Sequence, residues 1–248
     1  MKYMGSKAKH AKEIIKTIFD YPGVYWEINN WVEPFVGACN MMPELPEYMI
    51  RWGNDINPYV IGMFRALQKG WKIPEKIDEE CYKICKENAK LTFNPSLDEL
   101  ALIGFVGIGC SYSGKWYGGY ARGNDDNGNP RNYCLESRKN LLKQISKIKD
   151  FKDVIFSNKE YDLMYIPKEP SIIYCDPPYQ GTTKYKGNNF DHKKFWKWCN
   201  EQVNKGHKVF VSEYNAPEDW ECIWQKEVNN SLTKNTGAKK GTEKLFTK

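Results

Sequence analysis

The chain has 248 residues, 41% of them hydrophobic, which is enough for one large α/β domain or one domain with a substantial insertion. A net charge of +6 and 15% aromatics, with nine Trp and sixteen Tyr, fit a polyanionic partner and exceed what an ordinary core needs, although a Lys-rich soluble protein gives the same charge. No apolar run approaches the roughly 18 residues of a membrane span, and the eight cysteines contain no C-x-x-C pair and accompany only three His, which argues against a disulfide framework or a metal site.

In chain order, Lys2-Tyr3-Met4-Gly5-Ser6-Lys7 precedes a helical pattern whose apolar stripe is Ile14, Ile15, Ile18 and Phe19. Ser6 is the expected N-cap. Lys7 offers charge to a ligand, or simply flanks a capped helix. Trp31 to Asn40 reads as a short strand running into a small-residue turn, the place where a βαβ fold brings backbone close to a nucleotide. A second strand, Met49 to Asn54, ends on Asp55. That acid lies 18 residues after Gly37, close to the spacing of a ribose-binding carboxylate. Asn57-Pro58 then starts a helix through Ile61, Phe64 and Leu67 that Gly70 stops.

Between Trp71 and Asp150 the character changes. A helix is expected near Asp78–Ala89, followed by the apolar segment Leu97–Ile108. The stretch from Gly109 to Asn132 interleaves glycines with Tyr112, Trp116, Tyr117 and Tyr120 and carries Lys115, Arg122 and Arg131. It reads as a loop too polar for a core, suited to phosphate contact and base stacking or else an aromatic-pinned surface loop. A helix over Tyr133–Ile148 follows, with Leu141, Leu142, Ile145 and Ile148 sharing its inner face.

The α/β pattern then returns with Val154-Ile155-Phe156 and the buried run Ser171 to Cys175, which ends on Asp176-Pro177-Pro178-Tyr179. Two prolines fix φ twice and remove two donors, so the Asp176 carboxylate and the Pro177 carbonyl become set acceptors. With the Tyr179 ring beside them they would suit an exocyclic amine on a nucleobase; a strand-ending turn with a solvated Asp is the other reading. Gln180–Asn189 is a candidate substrate lid. Asp191 caps a helix carrying Phe195, Cys199 and Val203, and His207–Tyr214 is a further strand. Glu221–Val228 and Leu245-Phe246 look like a closing antiparallel hairpin. Residues 226–248 carry six Lys against two Glu, a charge suited to phosphate contact or to a solvated loop.

Taken together, the order Tyr3-Met4-Gly5-Ser6-Lys7, Glu33-Pro34-Phe35-Val36-Gly37, Asp55, a long insertion, and Asp176-Pro177-Pro178-Tyr179 resembles the Dam-like, α-group DNA adenine-N6 methyltransferases of the D12 class, phage and prophage members most of all. The closing Glu243-Lys244-Leu245-Phe246 also fits, and the resemblance spans essentially the whole chain. It implies an α/β fold: a Rossmann-like, mostly parallel methyltransferase sheet with an antiparallel closing hairpin. Residues 1–70 and 151–248 would form the catalytic domain binding S-adenosylmethionine, without a metal, and 71–150 an inserted target-recognition region. Tyr3, Lys7, Phe35, Gly37, Ala38, Asp55, Ile56 and Asp176 would contact the cofactor. Asp176, Pro177, Pro178 and Tyr179 would act on the adenine of a flipped base. Lys115, Trp116, Tyr117, Tyr120, Arg122 and Arg131 would meet DNA.

The family's usual turn is Phe-x-Gly-x-Gly, and Cys39 stands at its last Gly. The implied partner is double-stranded DNA in the cytoplasm, with no membrane, and the protein is expected as a monomer or weak dimer. A cognate restriction endonuclease is not inferable from the chain. Two other readings are an rRNA guanine-N2 methyltransferase, some of which share the Asp-Pro-Pro-Tyr strand end, and a non-catalytic DNA-binding protein on the same fold.

Overall fold

The computed structural model describes residues 5–91, 94–180, 190–229 and 240–248. Among the described residues, seven strands form one sheet in the order β3-β2-β1-β4-β5-β7-β6. These are β1 (Asn30–Glu33), β2 (Ile50–Asn54), β3 (Ile155–Ser157), β4 (Ser171–Cys175), β5 (Lys208–Ser212), β6 (Glu221–Asn229) and β7 (Lys240–Thr247). The first five run parallel, and β7 lies antiparallel between β5 and β6. The fold is the expected Rossmann-like one with an antiparallel closing hairpin.

Both faces of the central strands are covered, so β4 and β5 are near-continuous apolar runs rather than alternations of polar and apolar. The pleat sends Trp31, Ile172, Tyr174 and Phe210 into one core with Ile14 and Ile18 of α1 (Ala11–Phe19) and with Ile61 and Phe64 of α2 (Pro58–Gln68). Val32, Ile173, Cys175, Val209 and Val211 face the opposite way. There they pack with Phe246 and with Phe195, Trp198 and Cys199 of α6 (His192–Asn204).

The helices start where polar side chains can satisfy free backbone N–H groups. Asn57 accepts from Tyr59 N at 3.0 Å to open α2, and Asp191 accepts from Lys194 N at 3.0 Å to open α6. Between β2 and β3, Asp78 caps α3 (Glu79–Asn88), and Ser96 and Glu99 form a reciprocal capping box on α4 (Leu97–Gly109). Asn132 caps α5 (Tyr133–Ile145).

Helix α4 packs into the core beneath the sheet. Ile103, Phe105, Val106 and Ile108 are buried in the same core as Phe64. Two glycines let it press against its neighbours. A Cβ on Gly104 would stand 2.2 Å from the Tyr59 carbonyl oxygen, and one on Gly107 would stand 2.7 Å from the rings of Trp116 and Tyr117.

Three local expectations are corrected. Ser6 does not cap α1, whose N-cap is His10 without a side-chain hydrogen bond. The Ser6 hydroxyl instead accepts from Asn40 Nδ2 at 2.9 Å and so fastens the N-terminal loop to the turn after β1. Leu142 is 38% exposed while Leu141 is buried, because the inner face of α5 is narrower than its apolar pattern. Gly109–Ala121 is not too polar for a core: Cys110, Ser111, Gly114, Tyr117 and Ala121 are buried, since glycines on both α4 and the loop admit close packing, while Arg122–Asn132 are exposed as expected.

Candidate active site

The sheet order reverses between β1 and β4, and ligands of open α/β sheets gather outside the carboxyl ends of strands at such a point. Val32 of β1 pairs with Ile173 of β4, so the Gly37 turn and Asp176-Pro177-Pro178-Tyr179 leave the sheet side by side.

The turn after β1 is held from three directions. Asn54, fully buried at the end of β2, donates to Pro34 O at 3.1 Å and Lys159 O at 2.9 Å, and its own carbonyl accepts from Val36 N at 2.7 Å. Asp55 accepts from Gly37 N at 3.0 Å and from Asn57 N at 2.9 Å. Gln144 of α5 donates to Ala38 O at 2.6 Å and Cys39 O at 2.8 Å. Gly37 and Cys39 both have positive φ, +46° and +56°. Cys39 therefore takes the left-handed backbone in which a glycine is favoured, at a steric cost of roughly 1–2 kcal/mol. Its side chain is fully buried, which drives the thiol well above its usual range.

Asp55 presents a carboxylate whose burial raises it, opposed by the N–H groups of Asn57 and Gly37. A carboxylate has about four acceptor positions, so two backbone bonds leave capacity for hydroxyl donors. Ile56 beside it is 47% exposed and free of the core, an apolar surface next to the acid. Asn158 Nδ2 fixes this corner by donating to the Asp55 and Ile56 carbonyls at 2.7 and 2.9 Å. Phe35 is half-buried and packs on Tyr161, Phe190 and Phe195 at centroid distances of 5.4, 5.8 and 5.7 Å.

At the end of β4, Lys7 Nζ lies 3.0 Å from Asp176 Oδ1 and 3.4 Å from Glu243 Oε2. The same ammonium sits 4.6 Å from the centre of the Tyr179 ring. Burial pulls Lys7 down, but the two carboxylates outweigh it and the ammonium is held above its ordinary range. Burial raises Asp176, and Lys7 opposes that rise. The Tyr179 hydroxyl donates to Glu243 at 2.7 Å, and burial with the nearby Asp176 and Glu243 drives the phenol well up. Tyr214 meets the ring edge-on at 4.7 Å and 79°. Pro177 is buried and Pro178 exposed.

A family model for D12 class N6 adenine-specific DNA methyltransferases matches residues 3–96 and 124–239, most of the chain and both strand ends that build this cleft. The chain belongs to the D12 class. Comparison with curated proteins returns no match. Among solved structures it is similar to SMU.472, a candidate methyltransferase complexed with SAH, at 13% identity and a TM-score of 0.36 over 97% of this chain. It covers 52% of that chain, so this D12 protein spans about half its length.

The structure thus brings Lys7, Asp176, Pro177, Pro178 and Tyr179 to one strand end and Phe35, Gly37, Ala38, Asp55 and Ile56 to the turn beside it. Tyr3 lies outside the described residues, as do residues 181–189 of the candidate lid and 230–239 of the Lys-rich stretch. Sequence reasoning gave no role to Glu33, although it opens the motif before Gly37, or to Glu213, which sits in no spacing that signals a site. Glu33 is 2% exposed; burial pushes its carboxyl up to about 8 against a 2.7 Å hydrogen bond from Trp31 Nε1, and Asp176 adds to the rise. Glu213, at the end of β5, accepts from Tyr214 N at 2.8 Å and Gln180 N at 3.1 Å, and burial pushes it up to about 7. Gln144 was missed because its role depends on α5 reaching back over the turn.

The six residues expected at DNA do not share one environment. Lys115 is exposed. Arg122 is exposed and ion-paired with Glu79, and Arg131 makes a two-pronged contact to Glu136 at 2.8 and 2.6 Å. Trp116 is half-buried and stacks on Tyr59 at 5.7 Å and 24°. Tyr117 is 8% exposed and donates to Ile103 O at 3.0 Å; the Tyr120 hydroxyl donates to Ile77 O at 2.7 Å. These three rings pin the loop to α2, α3 and α4. Exposed Tyr112, at 63%, is an aromatic of the loop that stands free of that packing. Among the described residues no three His, Cys, Asp or Glu side chains are grouped to hold a metal ion, and no helix is long and apolar enough to cross a membrane.

Proposed function

We propose that this D12-class protein transfers a methyl group from S-adenosylmethionine to the N6 amine of an adenine turned out of duplex DNA. The observation that carries the reading is the pair of fixed acceptors at Asp176 and Pro177, beside a turn backed by the Asp55 carboxylate.

The residues present fit the cofactor. Asp55 has acceptor capacity for ribose hydroxyls, Ile56 offers an apolar face for an adenine ring, and Gly37 and Ala38 bring backbone close. At the far end one ammonium, Lys7, faces two carboxylates, so that end favours a cationic ligand. The cofactor, when bound, supplies a methyl already activated on a sulfonium, so no nucleophilic side chain is required.

The chain's own work is to prepare the amine. An adenine N6 lone pair is delocalised into the ring and poorly nucleophilic. Hydrogen bonds to Asp176 and to the Pro177 carbonyl favour a pyramidal nitrogen and aim its lone pair. Orientation of this kind is worth up to about 7–11 kcal/mol when alignment is good. Lys7, 3.0 Å away, favours the carboxylate form of Asp176 against the effect of burial, and that carboxylate would accept the proton the methylated nitrogen must lose. Tyr179 stacks on the base, offsetting part of the few kcal/mol that leaving the helix costs.

Residues 71–150 act as the target-recognition region, with Lys115, Arg122 and Arg131 on phosphates and Tyr112 a further stacking surface. Arg122 and Arg131 then exchange their glutamates for phosphates, which pre-orients them. Trp116, Tyr117 and Tyr120 shape the loop from beneath.

The test is single-molecule sequencing of DNA from cells expressing the protein, compared with Asp176→Ala. N6-methyladenine in one sequence context for the parent, and a loss of at least ~100-fold in transfer for the variant with unchanged melting, is expected. Transfer to rRNA but not DNA, or unchanged turnover in the variant, overturns the reading.

A further inference from the structure

Glu243 takes no direct part in the chemistry proposed above, yet it touches two of the side chains that do. It enters from β7, the antiparallel strand whose Leu245 pairs with Ser212 of β5. Its side chain is 16% exposed. A single oxygen, Oε2, accepts from the Tyr179 hydroxyl at 2.7 Å and lies 3.4 Å from Lys7 Nζ. The Tyr179 ring is therefore fastened at its hydroxyl by Glu243, at its edge by Tyr214 and over one face by Lys7.

The backbone cannot supply this orientation. Pro177 and Pro178 fix the backbone before Tyr179, but they leave its χ1 and χ2 to be chosen by what the ring and its hydroxyl meet. A hydrogen bond to a carboxylate is short and roughly twice as strong as a neutral one. In a half-buried site it also has little water to compete with. Glu243 is itself anchored, since Lys7 is already paired to Asp176 and so tethers the carboxylate from the other side.

We propose that Glu243 is a positioning residue for methyl transfer: it locks the Tyr179 ring in the orientation that receives the target base, and acts on turnover through that ring without touching either substrate. The proposal rests on the reading of Tyr179 as the stacking residue.

The experiment is tritiated-methyl incorporation from S-adenosylmethionine into unmethylated bulk genomic DNA. Steady-state constants are compared for the parent, Tyr179→Phe, Glu243→Ala, Glu243→Gln and the Tyr179→Phe/Glu243→Ala double variant. Tyr179→Phe and Glu243→Ala should each lower kcat on the order of 10-fold while leaving KM for the cofactor within about two-fold. The double variant should fall well short of the product of the two single penalties, because both remove the Tyr179–Glu243 bond. Glu243→Gln keeps an acceptor oxygen for the phenol and should recover most of the loss. Penalties that multiply in the double variant overturn the proposal, and so does a Glu243→Gln as slow as Glu243→Ala. A parent protein that transfers no methyl to DNA removes the reading of Tyr179 itself and this inference with it; an active parent with multiplying penalties removes the inference alone.

Discussion

Glu33 offers a direct check on the electrostatics of the cleft. Its carboxyl is 2% exposed and is pushed from an ordinary 4.5 up to about 8 by burial, with Asp176 nearby and only the Trp31 hydrogen bond opposing. Below pH 4.5 the group is protonated in both folded and unfolded chains, so its stabilising contribution is fully present. As pH rises from 4.5 toward 8 the unfolded chain loses its proton and the folded chain keeps it, so stability falls and the loss is complete above 8. A shift of about 3.5 units at 1.36 kcal/mol each makes that loss on the order of 4–5 kcal/mol. Glu33→Gln cannot ionise, and its amide oxygen can still accept from Trp31. In urea unfolding followed by circular dichroism, the two proteins should lie within about 1 kcal/mol of each other at pH 5. By pH 9 the variant should be the more stable by several kcal/mol, which is on the order of 10 °C in melting temperature. Asp55 and Glu213, also raised by burial, are present in both chains and cancel in the difference, while the Asp176–Glu33 repulsion is lost in the variant and acts in the same direction. A gap independent of pH, or one that closes as pH rises, would refute the reasoning.

Gln144→Ala removes both donors to the Ala38 and Cys39 carbonyls, leaving acceptors whose loss costs about 1–3 kcal/mol. The expected result is a raised KM for S-adenosylmethionine with kcat within about two-fold, measured by initial rates, because the turn and not the strand end is loosened. Gly104→Ala would drive a Cβ against the Tyr59 backbone and force α4 away from α2. Thermal unfolding should show a loss of roughly 1–3 kcal/mol or more, and an unchanged melting temperature would mean that the two helices do not meet as described.

Much of this protein was legible in its residues because the signals are local. Asn57-Pro58, Asp78 and Asp191 announce helix starts, since a cap needs only its own neighbours. The apolar runs at Trp31 and Ser171 announce buried parallel strands for the same reason. Asp176-Pro177-Pro178-Tyr179 and the acid at Asp55 stand out by their position at the carboxyl ends of strands, and the structure sets both beside one cleft. The loop aromatics were misjudged at Tyr117 because burial depends on what lies beneath. Gly107 opens the space for that ring, and no pattern within the loop reports a glycine on another helix.

What the sequence determined alone was the inventory: an α/β alternation, two motif-bearing strand ends, and a family to which the chain belongs. What only the tertiary structure decided was which charges meet. Lys7, Asp176 and Glu243 come from three segments separated by most of the chain, and pair because β7 folds back beside β5. Glu33 is an ordinary acid until the sheet removes water from it. At Asp176-Pro177-Pro178-Tyr179 the prolines fix the acceptors, while the direction of the tyrosine ring is set by a glutamate 64 residues away. Sequence spacing fixes backbone direction over a few residues; the field at a carboxylate and the tilt of a ring are properties of everything packed around them.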